Sequence, residues 1–224
     1  MAATDIFDLQ AFDAMPLNHD PYDYLIVEKF VKPDALAKIN ADYPKIDDPG
    51  SLPVGGLKFG PSFQAMVDAL ESDEFRQAFE RKFQIELTGR PSTITVRGRC
   101  GTRDGNIHTD STSKIITVLL YLNTTWDGQG GRLRLLRSGN NIDDVATDVA
   151  PLGGNLVAFL RSDRSWHGHL PFIGERRVVQ FNWVKGKANQ QMSMLRHGVS
   201  GALKRMLGKV RGTAKAEEEN ANQY

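Results

Sequence analysis

The chain has 224 residues, of which 40% are hydrophobic and 25% charged, and its formal net charge is +1. This length suffices for one domain with a substantial core, and a near-neutral charge leaves no whole-molecule field that would recruit nucleic acid. No run of 18 apolar residues predicts a transmembrane helix, and the N-terminus lacks the basic and apolar regions of a signal peptide. Together with a single cysteine, Cys100, these features predict a cytoplasmic protein.

Residues 1–92 are predicted to form a mostly helical lead-in. Tyr24–Val27 is a short apolar run typical of a strand, and Pro33 is suited to the first turn of a helix. Ser72 is a suitable N-cap for a further helix. That helix is predicted to cover a sheet with three aromatic residues at helical spacing, Phe75, Phe79 and Phe83.

From residue 93 the sequence alternates with a period of two. The run 114–122 is apolar on both faces, which predicts a strand covered on both sides. Shorter strands are predicted at 93–97, 132–136, 155–160 and 177–184, and a surface loop at 137–150. Many short strands with glycine turns favour a sandwich or jelly roll over a parallel sheet. We therefore predict a mainly β core over residues 93–184 that forms one domain, 1–184, with the helical lead-in.

A His-x-Asp pair inside this core is the best candidate for chemistry. His108 and Asp110 are two residues apart, so in an extended segment both side chains leave the same face. One imidazole and one carboxylate can then meet a single metal. A downstream histidine, His167 or His169, can complete the 2-His-1-carboxylate triad of non-haem iron oxygenases.

Several further motifs occur in a fixed order around this pair. They are 114–123, Trp126-Asp127, 130–135, 162–164 and a basic residue about ten positions after His167. The ordered set resembles the Fe(II)- and 2-oxoglutarate-dependent dioxygenases, in particular their prolyl 4-hydroxylase-like branch. The resemblance implies a double-stranded β-helix that uses Fe(II), 2-oxoglutarate and O2, with ascorbate as a further candidate. It also implies hydroxylation of an unactivated C–H bond with release of succinate and CO2.

The same resemblance suggests which residues form the site. It implies that His108, Asp110 and His167 bind the metal, and the spacing to the basic residue favours His167 over His169. For the second carboxylate of 2-oxoglutarate, strand parity selects Arg177 over Arg176. Arg177 shares its face with apolar residues that we expect to line the interior, namely Val179, Phe181 and Trp183. Tyr121 matches a tyrosine whose hydroxyl contacts 2-oxoglutarate in oxygen-sensing prolyl hydroxylases, although a core tyrosine explains it nearly as well.

The substrate and the functional class are less constrained. A non-catalytic jelly-roll binding protein and a different metal-dependent cupin enzyme are the alternatives to a dioxygenase. The substrate is predicted to be a small molecule or a peptide. An anionic one is a candidate because several arginines flank the presumed mouth: Arg97, Arg99, Arg103, Arg161 and Arg164.

Residues 185–224 differ from the rest of the chain. They contain eight Lys or Arg and three Glu, and 199–211 has the pattern of a basic amphipathic helix. This helix is predicted to pack on the core, with contact to an anionic membrane or an acidic partner as the alternative. The last stretch, 217–224, is predicted to be a disordered tail.

Overall fold

Two antiparallel sheets form the centre of the computed structural model, which describes residues 2–192 and 195. Nine strands occur among these residues: β1 (Tyr24–Val27), β2 (Leu52–Pro53), β3 (Ser92–Cys100), β4 (Lys114–Tyr121), β5 (Leu133–Leu136), β6 (Val145–Val149), β7 (Leu156–Leu160), β8 (His167–Gly168) and β9 (Gly174–Val184). The larger sheet has the order β1-β7-β4-β9-β3-β2, and the smaller one has the order β6-β5-β8. This arrangement confirms the predicted mainly β fold.

Helices precede the main strands and cover one face of the larger sheet. They are α1 (Ala3–Ile6), α2 (Leu9–Ala14), α3 (Pro33–Ala41), α4 (Pro61–Leu70) and α5 (Asp73–Phe83). As predicted, Ser72 caps α5, because its side chain accepts a hydrogen bond from the backbone N–H of Phe75 at 3.2 Å. Pro33 and Pro61 each stand in the first turn of a helix, where the missing N–H costs nothing.

The two faces of the larger sheet pack against different partners. On the outer face, the Phe75 ring stacks on Trp183 with centroids 5.9 Å apart and meets Phe181 edge-on at 5.8 Å. On the inner face, residues of β4, β7 and β9 join a separate core with Leu133 and Leu135 of the smaller sheet. The helices therefore lie behind the larger sheet, and the space between the two sheets is left for the site.

Some sequence expectations need correction. The predicted loop 137–150 contains strand β6, which pairs with β5. Its alternation of Val145, Thr147 and Val149 is short, and the polar turn residues before it obscure the pattern. The extent of the domain stays a prediction. The predicted helix 199–211 and the tail 217–224 lie outside the described residues. Within residues 2–192 no helix is long and apolar enough to cross a membrane.

Candidate metal and 2-oxoglutarate site

The two predicted histidine ligands stand side by side because their backbones pair. His108 and His167 form an antiparallel bridge, in which the N–H of each donates to the carbonyl of the other at 3.0 Å. Each ring also donates from Nδ1 to a nearby carbonyl at 2.9 Å, His108 to Asn106 and His167 to Ser165. The Nε2 lone pair of each ring thus remains available for a metal.

Asp110 completes a group that could hold a metal ion. One ligand atom each from His108, Asp110 and His167 lies within 4.8 Å of the others. The Asp110 carboxylate is buried and accepts at both oxygens, from Lys114 Nζ at 2.8 Å and from the Thr117 hydroxyl at 2.5 Å. Two imidazoles and one carboxylate fit Fe(II), and three ligands on one side leave coordination positions open.

Electrostatics keep Asp110 and His167 in the protonation states that a metal needs. Burial by itself would raise the pKa of Asp110, but the charge of Lys114, together with His167 and the two hydrogen bonds, holds that pKa well below its usual range. Burial lowers the pKa of His167 to about 4, although the neighbouring Asp110 opposes this shift. At neutral pH the site therefore presents a carboxylate and a neutral imidazole, as metal ligation requires.

A cavity of about 530 Å³ opens in front of this group. Its floor consists of side chains on the inner face of β3, β9 and β4. These strands are neighbours in the sheet, so their paired residues form rows across it. In one row Thr95 lies opposite Gln180, and Gln180 lies opposite Leu119. Apolar lining comes from Leu119, Leu133 and Val178, and polar lining from Thr95, Thr117 and Gln180.

Arg176 is the buried cation of the cavity wall. It is only 6% exposed, and its Nε donates to the Gly131 carbonyl at 2.8 Å. Its guanidinium lies 5.3 Å from the ring centroid of Tyr121, and one terminal nitrogen is 3.5 Å from the Tyr121 hydroxyl. Burial raises the pKa of Tyr121, which stays a neutral phenol beside this charge. Tyr121 thus contacts Arg176, while Arg176 itself faces the cavity.

The predicted position of Arg177 is corrected by the structure. Arg177 points away from the cavity, where it donates to the Asn40 side chain at 3.0 Å, pairs with Glu175 at 3.1 Å and lies over the Tyr43 ring at 5.1 Å. The parity of β9 was assigned correctly, but its apolar face packs against the helices instead of lining the interior. The polar face, with Arg176 and Gln180, is the one that lines the cavity.

His169 also lines the cavity but lies outside the group of three possible metal ligands. Its Nδ1 donates to the Leu170 carbonyl at 2.8 Å. Burial, together with the positive charge of Arg176, lowers the pKa of His169 to about 4. The structure thus separates the two histidines between which the sequence left a choice.

Two contacts of Asp110 were missed from the sequence. Lys114 and Thr117 follow Asp110 by four and seven residues and reach its two carboxylate oxygens. A signal existed for Thr117, because a hydroxyl inside a strand that is apolar on both faces needs a polar partner. Of the arginines expected near the mouth, Arg97 lines the cavity, and Arg161 donates to the Asp110 carbonyl at 3.1 Å.

Comparisons with known proteins agree with this geometry. Residues 99–185 match the family model of the 2OG-Fe(II) oxygenase superfamily. Comparison with curated proteins gives no significant match. Among solved structures, a Pseudomonas putida prolyl-4-hydroxylase is similar at 19% identity and a TM-score of 0.52, over 83% of this chain and 96% of that one.

Two further structures share the fold. One is a prolyl hydroxylase from Trichoplax adhaerens in complex with a peptide fragment of the hypoxia inducible factor oxygen degradation domain, at 15% identity, a TM-score of 0.54, and coverage of 83% of this chain and 94% of that one. The other is a viral collagen prolyl hydroxylase from Paramecium Bursaria Chlorella virus-1 in its 2OG complex, at 16% identity, a TM-score of 0.51, and coverage of 72% and 96%.

The fold and the family match together define a 2-oxoglutarate-dependent iron dioxygenase. The match to the 2OG-Fe(II) oxygenase superfamily spans residues 99–185, and the fold is similar to that of prolyl 4-hydroxylases. Fe(II), 2-oxoglutarate and O2 are the cofactor and cosubstrates of this superfamily, as the sequence predicts.

Proposed function

We propose that this protein hydroxylates an unactivated C–H bond of a polar substrate, with His108, Asp110 and His167 holding Fe(II) and Arg176 holding 2-oxoglutarate. The convergence of two imidazoles and one carboxylate within 4.8 Å, at the wall of a cavity that also contains a buried arginine, carries this proposal. When bound, Fe(II) with 2-oxoglutarate and O2 supplies the oxidant that converts R–H to R–OH while 2-oxoglutarate becomes succinate and CO2.

Arg176 supports the assignment of 2-oxoglutarate to one end of the cavity. The far carboxylate of 2-oxoglutarate needs a charged partner that can donate two hydrogen bonds, and a guanidinium has that shape. Arg176 is buried and is described with no acidic side-chain partner, so an incoming carboxylate would neutralise it. Leu119, Leu133 and Val178 would cover the two methylene groups of the cosubstrate.

The remaining lining favours a polar substrate. Beyond the apolar residues, the wall carries hydroxyl and amide groups from Ser51, Thr95, Gln180 and Asn189. An apolar substrate would cover these groups without offering them hydrogen bonds, whereas a polar molecule or a peptide side chain could bond to them. The fold itself does not select between a free small molecule and a peptide, because function depends on the site.

Anaerobic titration of Fe(II) and then 2-oxoglutarate into the metal-free protein tests the proposal. The weak visible charge-transfer band of the chelate should appear in the wild type and be absent in His108→Ala. Arg176→Leu should raise the 2-oxoglutarate concentration for half saturation about a hundredfold, because it removes a buried charged partner.

Arg177→Leu is the matched control for this titration. It removes the same charge from the neighbouring position on the opposite face of β9, so half saturation should change less than about threefold. Iron binding without the band would favour the cupin or binding-protein alternative. Equal effects of the two arginine substitutions would rule out Arg176 as the specific carboxylate partner.

A further inference from the structure

A second polar region of the cavity lies beside the metal-binding group, and its interpretation rests on the proposed function. The turn after Asp110 brings four consecutive side chains to the cavity wall: Ser111, Thr112, Ser113 and Lys114. The hydroxyls of Ser111 and Ser113 lie 2.9 Å apart, and the N–H of Lys114 donates to the Ser111 carbonyl at 3.0 Å. The turn therefore presents several donors and one ammonium group close to Asp110.

Lys114 is the unusual member of this turn. Its side chain is 11% exposed, and its Nζ has one hydrogen-bonding partner among the described residues, Asp110 Oδ1 at 2.8 Å. An ammonium group has three protons to donate. Asp110 Oδ2 accepts from Thr117 as well, so a metal on this carboxylate must share it with two existing donors. Metal binding thus weakens the interaction that neutralises Lys114.

The net charge of the cavity with Fe(II) and 2-oxoglutarate bound also favours an anionic group near Lys114. Among the described residues, the lining carries three cationic side chains, Arg97, Lys114 and Arg176, against the carboxylate of Asp110. Asp104, which bonds Arg97 at 2.8 Å, supplies a second negative charge. Fe(II) and 2-oxoglutarate have opposite double charges and cancel, so the loaded cavity retains one positive charge. A substrate with a single negative group would neutralise it.

We propose that Lys114, with the hydroxyls of Ser111 and Ser113, forms a subsite for a carboxylate of the substrate. Arg97 is already paired with Asp104, and Arg176 lies at the end of the cavity assigned to 2-oxoglutarate. Lys114 is the remaining cation, and it lies next to the metal ligands. A carboxylate held there fixes the substrate so that a carbon a few bonds from the acid group faces the metal. The substrate class is therefore a polar carboxylic acid.

Paramagnetic relaxation measures this subsite directly. The full-length protein is loaded with Mn(II) and 2-oxoglutarate, and loading is checked by Mn(II) electron paramagnetic resonance and calorimetry. The relaxation of carboxyl-labelled acetate is then compared with that of acetamide, which has the same shape without the charge. We expect a saturable enhancement for acetate in the wild type, with acetamide binding at least about tenfold more weakly.

Substitutions at Lys114 test whether its positive charge, and not only a hydrogen-bond donor at this position, binds acetate. Lys114→Gln keeps a donor for Asp110 but removes the charge, and it should lower acetate affinity about tenfold, while Lys114→Arg should keep it within about threefold. Lys38→Met removes an exposed lysine from α3 and should behave as the wild type. Equal enhancement by acetate and acetamide, or unchanged acetate binding in Lys114→Gln, would overturn the subsite.

The loading step distinguishes the two proposals. A wild-type protein that fails to bind Mn(II) with 2-oxoglutarate contradicts the proposed function, and the carboxylate subsite falls with it. A wild-type protein that loads but does not discriminate acetate from acetamide contradicts the subsite alone. Loss of Mn(II) binding in Lys114→Gln means that Lys114 only positions Asp110, which also overturns the subsite.

Discussion

The backbone N–H groups of His108 and His167 donate to each other's carbonyl oxygens, both at 3.0 Å, so main-chain pairing sets the distance between the two imidazoles. The pairing continues at Gly105, whose carbonyl accepts from the N–H of His169 at 2.9 Å. Gly105 has a φ of +99°, and a Cβ there would lie 2.5 Å from both Nδ1 and the carbonyl oxygen of His169. We therefore expect Gly105→Ala to separate the two segments.

Gly105→Ala should lower the free energy of unfolding by about 2 kcal/mol or more and weaken metal binding at least about tenfold. Gly153→Ala is the control, since Gly153 also has a positive φ, +64°, but its added Cβ meets nothing within 4 Å. That control should cost about 1 kcal/mol and leave metal affinity unchanged. Urea unfolding and metal titration measure both quantities. Equal metal affinity in the two variants would show that the close approach of Gly105 to His169 does not position the metal ligands.

Thr117→Val tests the hydrogen bond that orients Asp110. The substitution keeps the size of the side chain and removes the hydroxyl that donates to Asp110 Oδ2 at 2.5 Å. Loss of a hydrogen bond to a metal-binding carboxylate typically weakens metal affinity about tenfold or more, and calorimetry of metal binding should detect this. Thr95 also lies on the cavity floor, and in the part of the chain that the structure describes it has no hydrogen bond to the three ligands, so Thr95→Val should change the affinity less than about twofold. If Thr95→Val and Thr117→Val weaken metal binding alike, the hydrogen bond is not the cause.

The stability of the metal-free protein should depend on pH through two buried imidazoles. The pKa values of His167 and His169 are about 4 in the folded protein, against about 6.5 in an unfolded chain. Between these values the unfolded state binds more protons, so their contribution is fully present above about pH 6.5 and is lost as the pH falls towards 4. A shift of this size corresponds to at most about 3 kcal/mol for each imidazole.

Chemical unfolding in the presence of a chelator at a series of pH values checks this dependence. His169→Gln should flatten the decrease between pH 6.5 and 4, because one of the two groups no longer takes up a proton on unfolding. A decrease of the same steepness in this variant would show that other groups are responsible.

Phe75 should contribute strongly to the free energy of unfolding, because its ring joins helix α5 to the larger sheet. Its ring is fully buried and contacts Phe7, Phe30, Phe79, Phe181 and Trp183. Phe75→Ala should lower the free energy of unfolding by about 3 to 5 kcal/mol, measured by urea unfolding. Ile173→Ala, at a side chain that is 67% exposed, should stay within about 0.5 kcal/mol. A small effect of Phe75→Ala would mean that the helices pack loosely on the sheet.

Local pattern was enough to predict the strands with the strongest alternation and the helix that Ser72 caps. The central strand appears as predicted, at Lys114–Tyr121, because a run that is apolar on both faces has few alternatives. Strand β6 was missed, because Val145–Val149 is only half buried and its pattern is correspondingly weak. Short runs of this kind depend on a neighbouring strand, here β5, that local sequence does not specify.

The site shows where sequence reasoning stops. Spacing placed His108 and Asp110 on one face, the family resemblance added His167, and these three residues lie together in the structure. The parity of β9 separated Arg176 from Arg177, yet parity cannot tell which face looks inward. The answer depends on the position of α5, whose Phe75 and Phe79 cover the apolar face. This packing of a helix on the sheet is a long-range contact that local sequence does not specify, and it places Arg176, instead of Arg177, at the cavity.

The three possible metal ligands do not belong to one sheet. His108 and His167 are paired beside the smaller sheet, whereas Asp110 is hydrogen-bonded to Lys114 and Thr117 on a strand of the larger one. An ion bound by all three would therefore link the smaller sheet to the larger one. Metal binding would then stabilise the folded protein by mass action, so its resistance to unfolding would rise with the concentration of free metal.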